Sequence, residues 1–286
     1  MGKGIITSNR AKGILAAIFA SVLWSSGGIF IKLLDWNPIA ISGSRSLIAV
    51  CILIAYSGKP KLTKSKPMIG GAIAYSATVL LFVTANKMTT SANAILLQYT
   101  APIFVAILGV WLLKEKIHIY DAASITVVFL GMILFFLGNV NSGNMIGNFL
   151  AILSGLTLAC TTIALRMEKD AKGIDIPIIG NILTFLIATP FILNIKPDFK
   201  SIVIIIILGI FQLGISYIFY VYSMKYLTAL EAILITVLEP LLNPLWVFIF
   251  SGEKPGLYSI LGGVIVISAV LARSIYVSKK ITVQLN

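Results

Sequence analysis

Apolar windows of about 20 residues recur along the whole chain, separated by short polar stretches. A helix needs about 20 apolar residues to cross the hydrocarbon core of a bilayer, so each window predicts one transmembrane helix. We predict ten spans, at residues 12–34, 38–57, 67–87, 91–113, 118–138, 145–166, 175–194, 199–225, 229–251 and 256–276. Connections such as KEKIH after the fourth span are short, so sequential helices are antiparallel neighbours. The strict alternation of an outer-membrane barrel does not occur.

The composition agrees with lipid as the main solvent. Of the 286 residues 58% are hydrophobic and 11% are charged, against roughly 25% charged residues in a soluble domain. The length fits one compact membrane domain without a sizeable soluble module. The first apolar run is too long for a signal peptide and lacks a small-residue cleavage site, so we expect it to be retained. These features predict an all-α, multi-pass protein whose surroundings are the lipid bilayer.

The net charge of +12 has a topological explanation. The basic residues fall in short clusters between apolar runs and form no long basic face, so no nucleic-acid partner is expected. With the N-terminus inside, 16 of the 22 basic residues fall on the inner side and 5 on the outer side, and Arg45 lies within a span. An excess of Lys and Arg marks the cytoplasmic side. We therefore predict a cell-membrane (plasma or inner membrane) protein with a cytoplasmic N-terminus (1–11) and a cytoplasmic C-terminal tail (277–286).

The chain contains an internal repeat. Residues 86–120 align with residues 224–258 without a gap, at a constant offset of 138. Lys, Thr, Pro and Glu positions match in this alignment, which shared hydrophobicity does not explain. Five spans per half is an odd number, so the second half enters the membrane from the opposite side. We predict two inverted-topology five-helix repeats, 12–138 and 145–276, an arrangement typical of secondary transporters with a substrate site near the midplane.

The order of the motifs resembles the EamA-type members of the drug/metabolite transporter superfamily. The first repeat opens with WSSGGIFIKLLDWNPIAISGSRSLIAV (24–50), similar to the family's Trp-Ser helix end followed by Lys, Pro and Arg. LLQYTAPIFVAILGVWLLKE (96–115) and LEPLLNPLWVFIFSGE (238–253) resemble its Tyr-x-x-Pro helix ending in Glu. The resemblance covers residues 12–276. It implies ten helices, cytoplasmic termini, a central cavity lined mainly by spans 1, 3, 4, 6, 8 and 9, and export of amino acids, other metabolites or drugs.

Glu239 is the first candidate for transport chemistry. An acidic residue at the centre of a span costs about 2.5–3.5 kcal/mol on insertion scales, so it faces a bundle interior or a wet cavity. We interpret it as a protonatable coupling group or a cation contact; a carboxyl that only ties helices together is the open alternative. Ala101 occupies the equivalent position in the first repeat, so the two halves differ where coupling would occur.

Three prolines predict kinks in the fourth and ninth spans: Pro102, Pro240 and Pro244. Proline has no N–H and deprives the carbonyl four residues earlier of its donor, which for Pro240 is that of Thr236. Such carbonyls are tolerated in a span where protein or water satisfies them. The kinked helices are predicted to line the cavity and to suit rocking motions. A structural bend in a packed bundle is the alternative.

Aromatic and amide side chains within the spans are predicted to line the substrate pathway. They are Trp24, Tyr75, Gln98, Tyr99, Tyr217, Tyr220 and Asn243, the last one turn beyond Glu239. Aromatic walls with few polar groups suit an amphipathic organic solute; packing against neighbouring helices is the alternative for each. Arg45 is interpreted either as a charged group of the pathway or as a structural anchor, and Glu239 is one candidate partner for it.

Other chemistry is poorly represented. Cys51 and Cys160 lie within spans and the single histidine, His118, lies in a short loop, so neither a metal site nor a cofactor is predicted. Nucleotide-binding and hydrolase motifs (GxxxxGK[ST], HExxH, GxSxG) do not occur. We predict a transporter, not an enzyme, that moves a small-molecule substrate by alternating access, with proton coupling and exchange both open. A channel or a non-transporting scaffold or receptor is the alternative. The sequence does not determine the oligomeric state, and a monomer is compatible with the predicted spans.

Overall fold

A computed structural model describes residues 2–60, 65–137, 144–169, 173–242 and 256–284, with side chains from Asn9 to Lys280. Regular structure in these ranges is helical throughout. The α-helices are Gly2–Trp24, Gly27–Lys32, Pro38–Ser57, Lys66–Met88, Ser91–Gln98, Ala101–Leu108, Ile119–Phe136, Met145–Met167, Asp175–Ile192, Phe199–Ile207, Ser216–Ser223, Ala229–Ile235 and Leu257–Gln284. Two π-helical stretches, Gly109–Leu113 and Leu208–Ile215, continue the helices that precede them.

These helices form the predicted spans, numbered 1 to 10 in chain order. Within the described ranges, nine spans of 18–25 residues are long and apolar enough to cross a bilayer. Span 1 combines the first two helices, span 4 runs from Ser91 to Leu113 and span 8 from Phe199 to Ser223. Span 9 begins at Ala229 and is described as far as Leu242. The prediction of an all-α membrane fold with ten spans is confirmed.

The two terminal helices extend beyond the predicted spans. The first begins at Gly2 instead of residue 12, and the last ends at Gln284 instead of residue 276. Neither extension contains a proline, and the two helices support each other, because Arg10 Nε donates a hydrogen bond of 3.1 Å to Ser278 Oγ. This contact places both ends of the chain on one side of the bundle, which we call the terminal side.

Spans 4 and 9 begin and break in the same way. Thr90 Oγ1 and Thr228 Oγ1, 138 residues apart, each accept the backbone N–H three residues later, at 3.1 and 3.2 Å. Such a cap satisfies one of the free N–H groups at a helix start. Each helix is then interrupted by a turn, at Tyr99–Thr100 in span 4 and at Thr236–Val237 in span 9. The repeat is therefore present in the local structure as well as in the sequence.

The two repeats pack on each other through pairs of spans that the repeat relates. Span 2 packs on span 7 and span 5 on span 10, and the repeat maps each pair onto itself. Span 1 packs on span 8 and span 3 on span 6, and the repeat exchanges these two pairs. Spans 2 and 8 and spans 3 and 7 are exchanged in the same way. The interface is that of two like halves around an approximate two-fold axis.

Small residues allow these helices to approach closely. A Cβ added at Gly71 in span 3 would lie 2.6 Å from the Cβ of Ala164 in span 6. A Cβ added at Gly262 in span 10 would lie 2.6 Å from the carbonyl oxygen of Gly131 in span 5. Both contacts join the two repeats, so close approach of the helices at glycine contributes to the interface between the halves.

Candidate functional site

A small cavity lies between the two repeats. It has a volume of about 50 Å³ and is lined by residues of spans 1, 2, 3, 4, 6, 8 and 9. Its polar and aromatic lining residues are Trp24, Arg45, Thr78, Phe82, Gln98, Gln212, Tyr217 and Glu239. A buried water needs roughly 10–15 Å³ by the same measure, so the cavity holds a few waters and no organic solute. The space between the repeats is therefore narrow in this structure, although the cavity is not fully enclosed.

Breaks in the helices place four of these side chains. Trp24 ends the first helix of span 1, before a turn at Ser25–Ser26, and Gln98 ends the first helix of span 4. Gln212 lies in the π-helical stretch of span 8, and Glu239 follows the turn in span 9. Irregular backbone at membrane depth is tolerated where protein covers it or water reaches it, which is the situation beside a cavity.

Glu239 is bound to the other repeat through Tyr99. The Tyr99 hydroxyl oxygen lies 2.6 Å from Glu239 Oε2 and 2.6 Å from the carbonyl oxygen of Thr236. A phenol has one proton and a carbonyl only accepts. The phenol donates to an ionised Glu239, whereas a protonated Glu239 can donate to the phenol, which then donates to the Thr236 carbonyl. Pro240 offers this carbonyl no N–H, but the backbone N–H of Glu239 donates to it at 2.9 Å, so it keeps a donor in either case. The arrangement therefore accommodates both forms of the carboxyl.

Arg45 places a positive charge in the cavity lining. It is 1% exposed, its Nη1 donates to Oε1 of Gln212, and its Nε has no hydrogen-bond partner. Gln212 reaches this position because Gly27, at the break in span 1, has no side chain; a Cβ there would collide with the Gln212 amide. Gln212 was not among the predicted site residues. The signal available was an amide in an otherwise apolar span, the same signal that identified Gln98.

The ion pair considered between Arg45 and Glu239 is absent. Neither residue forms an ion pair within 4.0 Å in the described part of the chain. Arg45 projects from span 2 to Gln212 of span 8, whereas Glu239 projects from span 9 to Tyr99 of span 4. The two charged groups therefore line one cavity but are bound to different neutral side chains.

Four of the five predicted aromatic residues form one cluster beside the cavity. The ring centre of Tyr217 lies 4.7 Å from that of Tyr75 and 5.2 Å from that of Trp24, and Trp24 lies 4.9 Å from Tyr220. Trp24 and Tyr217 line the cavity. Tyr75 and Tyr220 are fully buried, each with its hydroxyl hydrogen-bonded to a neighbouring span. A role in the substrate pathway stays a prediction for all four, most direct for the two lining residues.

Gln98 joins spans 4 and 6 at the first helix break. Its Nε2 donates a 2.8 Å hydrogen bond to Ser154 Oγ. Its carbonyl, to which Pro102 has no N–H to offer, lies against Gly155, where a Cβ would come within 2.6 Å of it. The break is thus covered by span 6 on one side and open to the cavity on the other.

The prolines coincide with the helix breaks. Pro102 lies in the first turn of the resumed helix of span 4, and Pro240 lies in the first turn after the break in span 9. A missing N–H is tolerated at such a helix start. Asn243 and Pro244 lie outside the described residues, so their predicted roles stay predictions.

A second polar cluster, not predicted from the sequence, joins both repeats on the terminal side. Arg10 Nη1 donates to Glu231 Oε1 at 2.8 Å, and Arg273 donates to Asp121 Oδ1 from Nη2 at 2.7 Å and from Nε at 2.9 Å. Arg273 Nη1 also lies 3.7 Å from Glu231 Oε1. All four residues are less than 10% exposed. We call these four residues the terminal-side ion network; spans 1 and 5 of the first repeat thereby bind spans 9 and 10 of the second.

The lining chemistry suits a polar organic solute and a proton. It offers one guanidinium, one carboxyl, two amides and aromatic rings. Among the described residues, no group of three or more His, Cys, Asp or Glu is placed to hold a metal ion. Cys51 lies exposed on the bundle surface and Cys160 is partly buried, and neither is in a disulfide.

Gly27→Ala is expected to disturb the cavity directly. The added methyl group must displace the Gln212 amide, which removes the hydrogen-bond partner of Arg45. Overpacking of this kind costs about 1–3 kcal/mol. Thermal unfolding and solute flux should both fall, whereas Gly70→Ala, where a Cβ meets nothing within 4 Å, serves as the matched control and should change neither. Equal behaviour of the two variants would contradict the role of Gly27.

In a comparison with known protein families, one family model matches each half of the chain separately. The model of the EamA-like transporter family matches residues 11–137 and again residues 145–274. Each match covers five spans. The family model thus recognises the same two units that the internal repeat and the span pairing define.

Similar proteins bear transporter names. An uncharacterized transporter of Archaeoglobus fulgidus is 24% identical over 281 residues, 91% of this chain and 96% of its own. Solute carrier family 35 member G1 of Homo sapiens is 26% identical over 183 residues, 57% of this chain and 49% of that protein. A solved crystal structure, 17% identical in sequence, superposes with a TM-score of 0.79 over 95% of this chain and 99% of that chain. At that identity the likeness concerns the fold.

Proposed function

The chain belongs to the EamA-like transporter family, and on that premise we propose that it is a secondary transporter of small organic metabolites. The solute is an amino acid or a similar compound, carried outward by alternating access around the cavity between the repeats. Exchange of a proton on Glu239 drives the cycle. The protein acts in the cell membrane with both termini in the cytoplasm, as the distribution of its basic residues favours.

The observation that carries this proposal is the placing of Arg45 and Glu239. Two ionisable side chains line a narrow cavity between two like halves; Glu239 follows the break in span 9, and Arg45 projects from the uninterrupted helix of span 2. Ionisable groups within a membrane are costly and mark transport pathways or proton relays. In transporters built from inverted repeats, interrupted helices line the site near the midplane.

The size of the cavity supports a moving carrier. At about 50 Å³ it is too small for an amino acid, so a solute can bind only if the repeats move apart. Because the terminal-side ion network links spans of both repeats, separation on that side must break it. The two halves are therefore held closed on the terminal side by contacts that are lost when the cavity opens there.

The coupling role of Glu239 is supported by its hydrogen bonds. A protonated Glu239 can donate to the Tyr99 phenol, which then donates to the Thr236 carbonyl, whereas an ionised Glu239 takes the phenol proton for itself. Deprotonation therefore changes a contact between spans 4 and 9, one from each repeat. Proton binding and the relation of the two halves are linked at this point.

Counterflow in proteoliposomes tests the proposal. Purified protein is reconstituted into vesicles preloaded with candidate amino acids and related metabolites, and entry of the labelled solute is followed. A carrier gives saturable uptake that is stimulated by unlabelled solute inside. A non-saturating current without counterflow supports a channel, and no flux of any solute supports a scaffold or receptor; either result overturns the carrier. Empty liposomes are the control.

A further inference from the structure

Resting on the proposed function, we propose that the transported solute carries a carboxylate, and that Arg45 binds it in the cavity between the repeats. The starting observation is that Arg45 is buried and has no acidic partner among the residues that the structure describes. In the described part of the chain its sole hydrogen bond runs to the neutral Gln212 side chain, and its Nε is buried without a partner. A guanidinium has five N–H donors, so most of its binding capacity is unused.

The other arginines in the bundle differ from Arg45. Arg10 and Arg273 bind the carboxylates of Glu231 and Asp121, and Arg166 Nε binds Glu115 Oε1 at 3.1 Å. The chain thus supplies acidic partners for arginines at span ends. A charge inside a protein is costly unless it is paired. The missing partner at Arg45 is a feature of the cavity, and an anionic solute supplies it.

The surroundings select the kind of anion. Among the described lining residues Arg45 is the one basic side chain, so a single negative charge matches it and a phosphate dianion does not. The planar guanidinium fits a carboxylate with two parallel hydrogen bonds. Trp24, Phe82 and Tyr217 form apolar walls, which bind the organic part of a solute. Glu239 is hydrogen-bonded to Tyr99 and, in the described part of the chain, forms no ion pair with Arg45, so the guanidinium is available to an anion.

An internal use of Arg45 is the competing explanation. In that case the guanidinium only fastens span 2 to span 8 through Gln212, and the solute touches other groups. The two explanations differ in what happens when a carboxylate is offered or withheld.

Thermal unfolding of the purified full chain with two matched sets of probes separates them. The sets are phenylalanine, hydrocinnamate and phenylalaninamide, and leucine, isocaproate and leucinamide. We expect the amides, which lack the carboxylate, to bind about tenfold or more weakly than the best carboxylate of each set, as hydrogen bonds to charged groups imply. Binding by the amino acids alone also supports the site and adds an ammonium contact. Amides as good as the acids, or no response to any carboxylate, overturn it.

Variants of the chain complete the test. Arg45→Gln should lose the carboxylate preference, Arg45→Lys should retain part of it, and Arg166→Gln, whose arginine lies at a span end, should retain all of it. Because Arg45→Gln can also impair folding, Gln212→Glu is the second variant: it gives Arg45 an internal carboxylate and should abolish binding of added carboxylates with Arg45 in place. An unchanged preference in Gln212→Glu overturns the proposal. Counterflow of the amides without dependence on Arg45 overturns the carboxylate site and leaves the carrier function standing.

Discussion

Glu239→Gln is expected to abolish the pH dependence of transport while the protein stays folded. The amide has the shape of the protonated carboxyl and donates from its NH₂ group to Tyr99, which still donates to the Thr236 carbonyl. The variant lacks the titratable proton of the Glu239 carboxyl. With one proton exchanged per solute, a gradient of one pH unit drives about tenfold accumulation by the native protein, and none by the variant.

The measurement is solute accumulation in proteoliposomes with and without a pH gradient, with counterflow at equal pH as the reference. Counterflow should persist in Glu239→Gln. Glu168→Gln is the matched control, since Glu168 ends span 6 and accepts a 2.6 Å hydrogen bond from Ser65, remote from the cavity lining. Its accumulation should equal that of the native protein. Full gradient-driven accumulation in Glu239→Gln would show that the coupling proton resides elsewhere.

Arg273→Met is expected to be the most destabilising substitution considered. It leaves Asp121 buried without its two hydrogen bonds from the guanidinium and removes a neighbour of Glu231. Breaking a buried ion pair from one side costs about 3–5 kcal/mol, whereas replacing both partners with apolar groups is often close to neutral. The double variant Arg273→Met/Asp121→Leu should therefore recover much of the loss.

The free energy of unfolding in detergent micelles measures both variants. Arg166→Met provides the control: its partner Glu115 is 25% exposed and Arg166 is 18% exposed in their side chains, so solvent screens the ion pair. Arg166 Nη1 also donates to the Met224 carbonyl oxygen at 2.8 Å, and the expected total loss is about 1–2 kcal/mol, below that of Arg273→Met. A loss of similar size in Arg273→Met and Arg166→Met would contradict the claim that the buried ion network stabilises the contact between the two repeats. Failure of the double variant to recover would assign Asp121 a further role, such as its hydrogen bond from the His118 backbone.

The span layout, the repeat and the helix breaks could be predicted because they depend on local pattern. Ten apolar windows give ten spans since a bilayer requires about 20 apolar residues for each. Pro102 and Pro240 mark the breaks because proline removes a backbone donor wherever it stands in a helix. Glu239 was identifiable for a similar reason: a carboxyl in the middle of a span must face protein or water, whatever its neighbours are.

Partnerships were harder to predict. Arg45 and Glu239 are opposite charges within spans, and charge alone favours pairing them, yet they bind Gln212 and Tyr99. The sequence analysis used Arg10 only as one of the basic residues that set the orientation in the membrane. In the structure it pairs with Glu231, 221 positions away. The spacing of these residues along the sequence does not indicate which side chains lie at the same depth in the membrane and face each other.

The sequence thus determines that this chain crosses the membrane ten times as two related halves of opposite orientation, because lipid leaves few solutions for an apolar, regularly interrupted chain. The tertiary structure decides the rest. It forms a cavity of about 50 Å³, a hydrogen bond between Glu239 and a phenol of the other half, and a four-residue ion network on the terminal side. It also leaves the Arg45 guanidinium without an acidic partner in the described part of the chain. These features arise from the packing of helices distant in sequence, where a glycine such as Gly27 sets which polar groups can meet.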